Sequence, residues 1–499
     1  MSGSQIKESN KRKVENVPLC KYGSECYRKN PTHFLEYSHP EMKKLKAENE
    51  VKKENKECVV PFFLSTVQGI DHEFNKYAIS IKDILSENFD ELKESVQFNY
   101  MFDVEWLIKM YPVSSREKPL LLVHGHTGSN KTDLEASALK YSNIDLVQAR
   151  LPIAYGTHHS KMMFLFYSTG LRIIITTANL VEQDWFQKTQ GIWKSPLFAI
   201  KDVAYDGKND PFKEDLLEYL SSYGNSKLGM YAEKLKEYDM SSANVHLVSS
   251  VPGRYTGFKM HQWGHLKLRK LLLSYGPSKD LVNENWPIIG QFSSIGSLGS
   301  ESSSWLCGEW LSSLSTCKDD ELKESKANLK LIYPTIENVR NSLEGYSAGC
   351  SLPYGIQVAM KQRYLKDFLN SWASDSVGRS LAAPHIKTYT RVSPDCKSAA
   401  WFLLTSANLS KAAWGSYEKD KKQFMIRSYE IGVLFLPKKT NCATYTIISG
   451  EESEVCLEKE FLRFPYDLPL LPYSSSDKPW VWDICYTKED SHGRLWMPS

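Results

Sequence analysis

The chain has 499 residues, 41% of them hydrophobic, enough to bury two substantial cores and leave a small extra module. Its 62 Lys and Arg nearly balance 59 Asp and Glu, for a formal net charge of +3, which excludes a uniformly basic nucleic-acid coat. Any groove for an anionic polymer must come from local clusters such as 254–259 and 267–270. No apolar run reaches the roughly 20 residues of a membrane helix and no signal-peptide pattern opens the chain, so a soluble protein with no membrane partner is expected. The 10 cysteines show no disulfide spacing, which suits a reducing compartment.

Residues 1–18 read as a disordered tail whose Lys11-Arg12-Lys13 is compatible with nuclear import. Residues 19–40 place Cys20, Cys26, His33 and His39 in a Cys-x5-Cys-x6-His-x5-His pattern. Two thiolates and two imidazoles form the tetrahedral set of a structural zinc. A segment this short and polar needs the metal in order to fold. The first spacing is wider than a DNA-reading finger normally uses. With Tyr22-Gly23 between the cysteines and Cys26-Tyr27-Arg28-Lys29-Asn30-Pro31 after them, the segment resembles a poly(ADP-ribose)-binding zinc finger. That resemblance implies that Tyr22 and Tyr27 stack on adenine and that Arg28 engages phosphate or ribose. Residues 41–58, dense in Lys and Glu, read as a linker, either a solvated helix or a flexible tether.

Two halves follow, 59–244 and 245–499, and they share a motif. The first contains Gly156-Thr157-His158-His159-Ser160-Lys161, then Thr177-Ala178-Asn179-Leu180 and Trp185. The second contains Pro384-His385-Ile386-Lys387, then Ser406-Ala407-Asn408-Leu409 and Trp414. Apolar runs at 162–167, 173–175, 401–404 and 433–436 read as buried strands, and 210–219 and 356–372 have helical apolar spacing. In extended chain, the His and Lys of a His-x-Lys emerge on one face. Lys offers a fixed positive charge and Asn an amide donor, both suited to phosphate oxygens. Histidine attacks phosphorus when neutral and protonates a leaving oxygen when charged. The duplication therefore implies one site built from both halves. Such a site splits a phosphodiester in two steps through a phosphohistidine, with two lysines supplying the charge and no catalytic metal expected.

The motif stretches 155–163, 187–193, 290–299 and 384–437, with Pro479-Trp480-Val481-Trp482 and His492-Gly493, are similar to those of the tyrosyl-DNA phosphodiesterases, a branch of the phospholipase D superfamily. The wider superfamily carries an Asp five positions after each Lys; Phe166 and Val392 stand there, and the branch uses a Gln and a Glu instead, matched by Gln190 and Glu430. The resemblance implies an α/β fold of two pseudo-symmetric sandwich domains sharing one active site, beside the finger. It implies a catalytic set of His159, Lys161, Asn179, Gln190, His385, Lys387, Asn408 and Glu430. His159 is then the nucleophile, and His385 is first the general acid and then the base. Glu430 is expected beside His385, favouring its charged form, and Gln190 beside a neutral His159.

The implied substrate is a single- or double-stranded DNA 3′ end whose phosphate is esterified to tyrosine, as topoisomerase I leaves when it stalls, or bears another block. The product is a 3′ phosphate. Tyr155 is expected to stack on a base, Ser294 and Ser297 to hold the DNA backbone, and Trp482 to face the peptide. A monomer in the nucleus, recruited by poly(ADP-ribose), completes the expectation. The rivals are an adaptor with a decayed catalytic half and a lipid phosphodiesterase. The intact set of eight argues against the first, and the missing aspartates and the finger against the second.

Overall fold

The computed structural model describes residues 20–21, 37, 61–86, 90–201, 210–319, 327–437, 443–448 and 460–498. Contacts divide the chain into residues 1–59 and residues 60–499. In the first unit Cys20 is buried. Cys26, His33, His39, Tyr22, Tyr27 and Arg28, the tail 1–18 and the linker 41–58 lie outside the described residues.

The apolar runs of the second unit become the middle strands of two nine-stranded sheets. In Met162–Tyr167, side chains alternate between two cores: Met162, Phe164 and Phe166 enter one, and Met163, Leu165 and Tyr167 the other. In Ser398–Thr405, Phe402 and Leu404 enter that same first core, while Trp401 and Leu403 enter a third. A continuous apolar run is what a strand covered on both faces requires. The first core is thus shared between the sheets, and Phe62 stacks on Phe402 inside it with ring centroids 5.0 Å apart. The helices Val104–Met110 and Gly128–Ala138 close the outer face of the first sheet, and Gly264–Tyr275 that of the second.

The two sheets repeat one topology. The first runs Gly191–Lys194, Gly170–Thr176, Met162–Tyr167, Leu92–Phe98, Leu120–His124, Ile144–Gln148. The second runs Glu430–Phe435, Ser398–Thr405, Thr388–Val392, Ile288–Gln291, Leu329–Ile332, Leu369–Asn370. In both, the first three pairings are antiparallel and the last two parallel. Each His-x-Lys ends one residue before the third strand of its series.

The helix expected at 210–219 forms as Pro211–Ser221, with the Asp210 side chain capping the Lys213 N–H and Pro211 in the first turn. The stretch 356–372 departs from its apolar spacing. Its helix covers only Ile356–Lys361 and gives way to the 3-10 segment Arg363–Phe368 and the strand Leu369–Asn370. Buried Gln362 breaks it: its side chain accepts the Leu298 N–H at 3.0 Å and donates to the Gly296 carbonyl at 3.1 Å. That tertiary latch outweighs the local pattern.

The halves meet so closely that Gly191 has no room for a side chain. A Cβ there would lie 2.4 Å from Leu404 Cδ1 and 2.8 Å from Ile386 Cδ1, both of the second half. Gly191→Ala is expected to cost about 1–3 kcal/mol in denaturant unfolding. Gly229→Ala, in the helix Ser226–Leu235 with open space around it, is expected to stabilise by about 0.4–1 kcal/mol. Equal effects of the two would contradict the shared core.

Candidate active site

The site is assembled by an exchange of backbone between halves. Ahead of Gly191–Lys194, the residues Lys188–Thr189 run parallel to Ala383–Pro384, and the Thr189 carbonyl accepts the His385 and Ile386 N–H groups at 3.1 and 2.8 Å. Ahead of Glu430–Phe435 the reverse occurs. The Tyr429 carbonyl accepts the His159 N–H, and the Tyr429 N–H donates to the Thr157 carbonyl, both at 2.9 Å. Gly156 permits this approach, since a Cβ there would sit 2.1 Å from the Arg427 carbonyl oxygen.

Gln190 and Glu430 come one residue after the crossing points, so each lands beside the histidine of the opposite half. His159 Nδ1 is 2.9 Å from Glu430 Oε2, and His385 Nδ1 is 3.1 Å from Gln190 Oε1. This corrects the expected pairing of Glu430 with His385 and Gln190 with His159. The expectation followed proximity along the chain, whereas the chain crosses over just before each partner.

The hydrogen-bond network settles both tautomers. The Glu430 carboxylate can only accept, and it also takes the Ser406 hydroxyl at 2.5 Å, so His159 Nδ1 carries the proton and Nε2 keeps its lone pair. At the other histidine, the Thr177 hydroxyl accepts the Gly191 N–H at 3.0 Å and donates to Gln190 Oε1 at 2.8 Å. Gln190 Nε2 donates to the Asp184 carbonyl at 2.9 Å. The amide is thus locked with its oxygen toward His385, whose Nδ1 carries the proton in turn.

Burial dominates the charges. It pushes the His159 pKa below its ordinary value, outweighing the attraction of Glu430, and Lys161 and Lys387 push the same way. His385 falls well below the ordinary value, through burial and then Lys387, Lys161 and Lys188. The expected favouring of the charged form of His385 is not met, since burial and the lysines disfavour that form. Burial raises Glu430, but His159, the Ser406 hydroxyl and Lys161 outweigh it and hold the carboxylate below its ordinary value. The charges of both lysines bear on both histidines, as a single shared site requires.

Each lysine folds back on its own histidine: Lys161 Nζ donates to the His159 carbonyl at 3.0 Å, and Lys387 to that of His385. Asn408 is anchored through Oδ1, which accepts the Ser293 and Ser294 N–H groups at 3.1 and 3.0 Å, leaving its amide N–H groups to donate elsewhere. Asn179 is buried, and its Oδ1 has no hydrogen-bond partner among the described residues. The matched tryptophans do different work. Trp185 donates to the Asn179 carbonyl at 2.9 Å, while Trp414 packs edge-on to Tyr389 with centroids 5.0 Å apart.

A profile described as Tyrosyl-DNA phosphodiesterase matches residues 61–474. The chain belongs to the tyrosyl-DNA phosphodiesterase family. It is 36% identical over 485 residues to tyrosyl-DNA phosphodiesterase 1 of Arabidopsis thaliana, covering 89% of this chain and 77% of that protein. It is 38% identical over 411 residues to a probable tyrosyl-DNA phosphodiesterase of Caenorhabditis elegans, covering 81% and 85%. The solved yeast tyrosyl-DNA phosphodiesterase shares the fold, with a TM-score of 0.63 at 21% identity over 84% of this chain and 98% of that one. The fold is accordingly the paired phospholipase D-like α/β arrangement. A second profile, described as PBZ domain, matches residues 18–42.

The residues expected to meet the substrate differ in exposure. Tyr155 is 92% exposed and held at φ 62°, a left-handed conformation that costs a non-glycine residue energy. Ser294 donates its hydroxyl to the Pro353 carbonyl at 2.7 Å, and Ser297 is exposed. Trp482 is exposed, its carbonyl held by the Trp496 indole N–H at 2.8 Å.

Two neighbours escaped the sequence reading. Tyr100 stands edge-on to His159 with centroids 5.4 Å apart, and Lys161 Nζ lies 5.6 Å from the centre of its ring. Asp184 is buried, with Oδ2 3.4 Å from His385 Nδ1. Its one signal in the sequence was an acid placed directly before the Trp that follows the motif's Asn. His158, by contrast, turns away from the site to the Asn99 carbonyl and the Tyr223 hydroxyl, and burial lowers its pKa to about 3.

Burial lowers the Lys161 pKa to about 8, against the opposing pull of Glu430 and Asp184. The ammonium is charged below that pH and neutral above it. Affinity for sulfate, an anion whose own charge is constant in this range, should fall as pH rises through about 8 in calorimetric titrations. Lys161→Met should flatten the curve.

Proposed function

We propose that this chain hydrolyses the bond between a DNA 3′ phosphate and a tyrosine, or another 3′ blocking group, without a catalytic metal and leaving a 3′ phosphate. The observation that carries the reading is the pair of histidines whose Nδ1 protons are fixed by opposite halves, beside two buried lysines. The His159 Nε2 lone pair attacks phosphorus, the P–N bond forms and the P–O bond to tyrosine breaks. Glu430 compensates the charge that the phosphorylated ring acquires. Protonated His385 gives its Nε2 proton to the departing tyrosine oxygen. Neutral His385 then takes a proton from water as the water oxygen attacks phosphorus, and the P–N electron pair returns to His159. Lys161, Lys387, Asn179 and Asn408 hold the phosphate oxygens throughout.

Tyr155 stacks on a base, Ser294 and Ser297 hold the DNA backbone, and Trp482 meets the peptide. The strain and exposure of Tyr155 support a residue kept for a ligand. The Cys2His2 donor set of Cys20, Cys26, His33 and His39 fits a structural zinc. Tyr22, Tyr27 and Arg28 would then bind poly(ADP-ribose) and concentrate the enzyme at breaks in the nucleus, where the linker lets it search nearby ends.

The test uses an oligonucleotide bearing a 3′ phosphotyrosine, with EDTA present. Wild type should release 3′-phosphate DNA, His159→Ala should release none, and His385→Ala should be slower by about 100- to 10,000-fold. Turnover that survives in His159→Ala would overturn the mechanism. Separately, Cys26→Ala should abolish poly(ADP-ribose) retention on a filter while leaving cleavage intact; retention at the wild-type level would remove the finger from the reading.

A further inference from the structure

Beside the paired histidines lies a buried row of charges that neither step uses. Asp184 is 2% exposed. Its Oδ2 accepts the Asn179 N–H at 2.8 Å and stands 3.4 Å from His385 Nδ1. Its Oδ1 is 3.8 Å from Lys188 Nζ, which donates to Glu344 Oε1 at 2.8 Å. Lys188 and Glu344 are themselves 2% and 9% exposed, and Glu344 Oε2 has no hydrogen-bond partner among the described residues. The row alternates in sign from His385 through Asp184 and Lys188 to Glu344, and crosses the boundary between the halves twice.

The surroundings of His385 show what this row is for. Lys387, Lys161, Lys188 and His159 all disfavour a positive charge on the ring, as does its burial. Gln190 accepts the Nδ1 proton but carries no charge to offset them. Among the described residues, Asp184 is the acid within ion-pair distance of that ring. A general acid has to bear a proton before it can donate one. Neutral hydrogen bonding orients the ring, whereas a nearby carboxylate also stabilises the imidazolium.

We propose that Asp184 is the positioning residue of the general acid: it shares the His385 Nδ1 proton with Gln190 and stabilises the imidazolium, to a degree set by Lys188 and Glu344. The inference rests on the assignment of His385 as the acid. In the cleavage step the Nε2 proton passes to the tyrosine oxygen as the P–O bond breaks, His385 becomes neutral, and Asp184 remains a carboxylate throughout. Lys188 tempers the carboxylate and Glu344 tempers Lys188, so the ring is neither stripped of its proton nor unable to release it.

The experiment compares two oligonucleotides in single-turnover cleavage, one ending in 3′ phosphotyrosine and one in a 3′ 4-nitrophenyl phosphate. Nitrophenolate departs without a proton and makes little demand on the acid. Asp184→Asn keeps an acceptor for the Asn179 N–H but removes the charge. It should slow phosphotyrosine cleavage by about tenfold or more, the consequence of one unit of lost proton affinity, and nitrophenyl cleavage by clearly less. Its phosphotyrosine pH profile should lose activity at lower pH than wild type on the alkaline side. Glu344→Gln, which touches neither histidine, removes the nearer of the two carboxylates that face Lys188 and should show the same selectivity in smaller measure. Equal losses on both substrates, or no loss on phosphotyrosine, overturn the proposal. Should Asp184→Asn not fold, Glu344→Gln decides by the same criterion. Wild type inactive on both substrates would instead sink the functional reading on which the inference rests.

Discussion

Everything at the site depends on the backbone exchange that hands a short stretch of each half to the other. Four main-chain hydrogen bonds at Thr189 and Tyr429 do this, and they fix where Gln190 and Glu430 emerge. Each sheet alone positions a histidine, a lysine and an asparagine, but it leaves the ring without a partner for Nδ1. An imidazole free to rotate or to change tautomer presents its lone pair unreliably. The exchange therefore couples assembly of the halves to the competence of both rings. The crowding of Gly156 against the Arg427 carbonyl and of Gly191 against Leu404 follows from the same closeness.

The exchange also removes the site from water, with opposed consequences. Burying an ion costs several kcal/mol even after relaxation, and here two lysines, two histidines, Glu430 and Asp184 are gathered together. Polar contacts offset part of that cost: each lysine returns to its own histidine's carbonyl, Glu430 takes two donors, and Asn408 is held by Ser293 and Ser294. What is left over is the burial itself, the main cause of the lowered pKa values of Lys161, Lys387, His159 and His385, with repulsion among positive groups adding to it at Lys387 and the two histidines. An anionic phosphodiester entering such a site would relieve that repulsion and raise the proton affinity of the rings, which the proposed mechanism needs when one of them acts as an acid. In a dry site these interactions are stronger than in solvent.

The sheet centres were legible because strands buried on both faces must be apolar at every position, as Met162–Tyr167 and Ser398–Thr405 are. The histidines, lysines and asparagines were legible because they repeat. Partnership across the site was not, since spacing reports distance along the chain and Gln190 and Glu430 act on the far half. Gln362 defeated the helical pattern of 356–372 because a tertiary hydrogen bond decides that position. Trp185 and Trp414, matched in spacing, proved unlike in role because only one of them reaches an asparagine carbonyl. Asp184 was hidden in plain view, a single acid in a motif read for its asparagine and tryptophan.

In the proposed mechanism, the crossed pairing bears directly on why one histidine attacks and the other donates. Had Glu430 faced His385, a full carboxylate charge would hold the acid's proton tightly and leave the nucleophile with only a neutral amide. With Glu430 on His159, the carboxylate draws on the Nδ1 proton, enriches the Nε2 lone pair and then balances the cationic phosphohistidine. His385, oriented by an amide and facing the Asp184 carboxylate at 3.4 Å rather than in a direct hydrogen bond, would be left a stronger acid than one paired with Glu430, suited to releasing its proton to a phenolic oxygen and then to accepting one from water. On the proposed mechanism, the asymmetry of Gln and Glu thus suits the same roles as the uncrossed pairing would, but through stabilisation of the covalent intermediate rather than of the acid at rest.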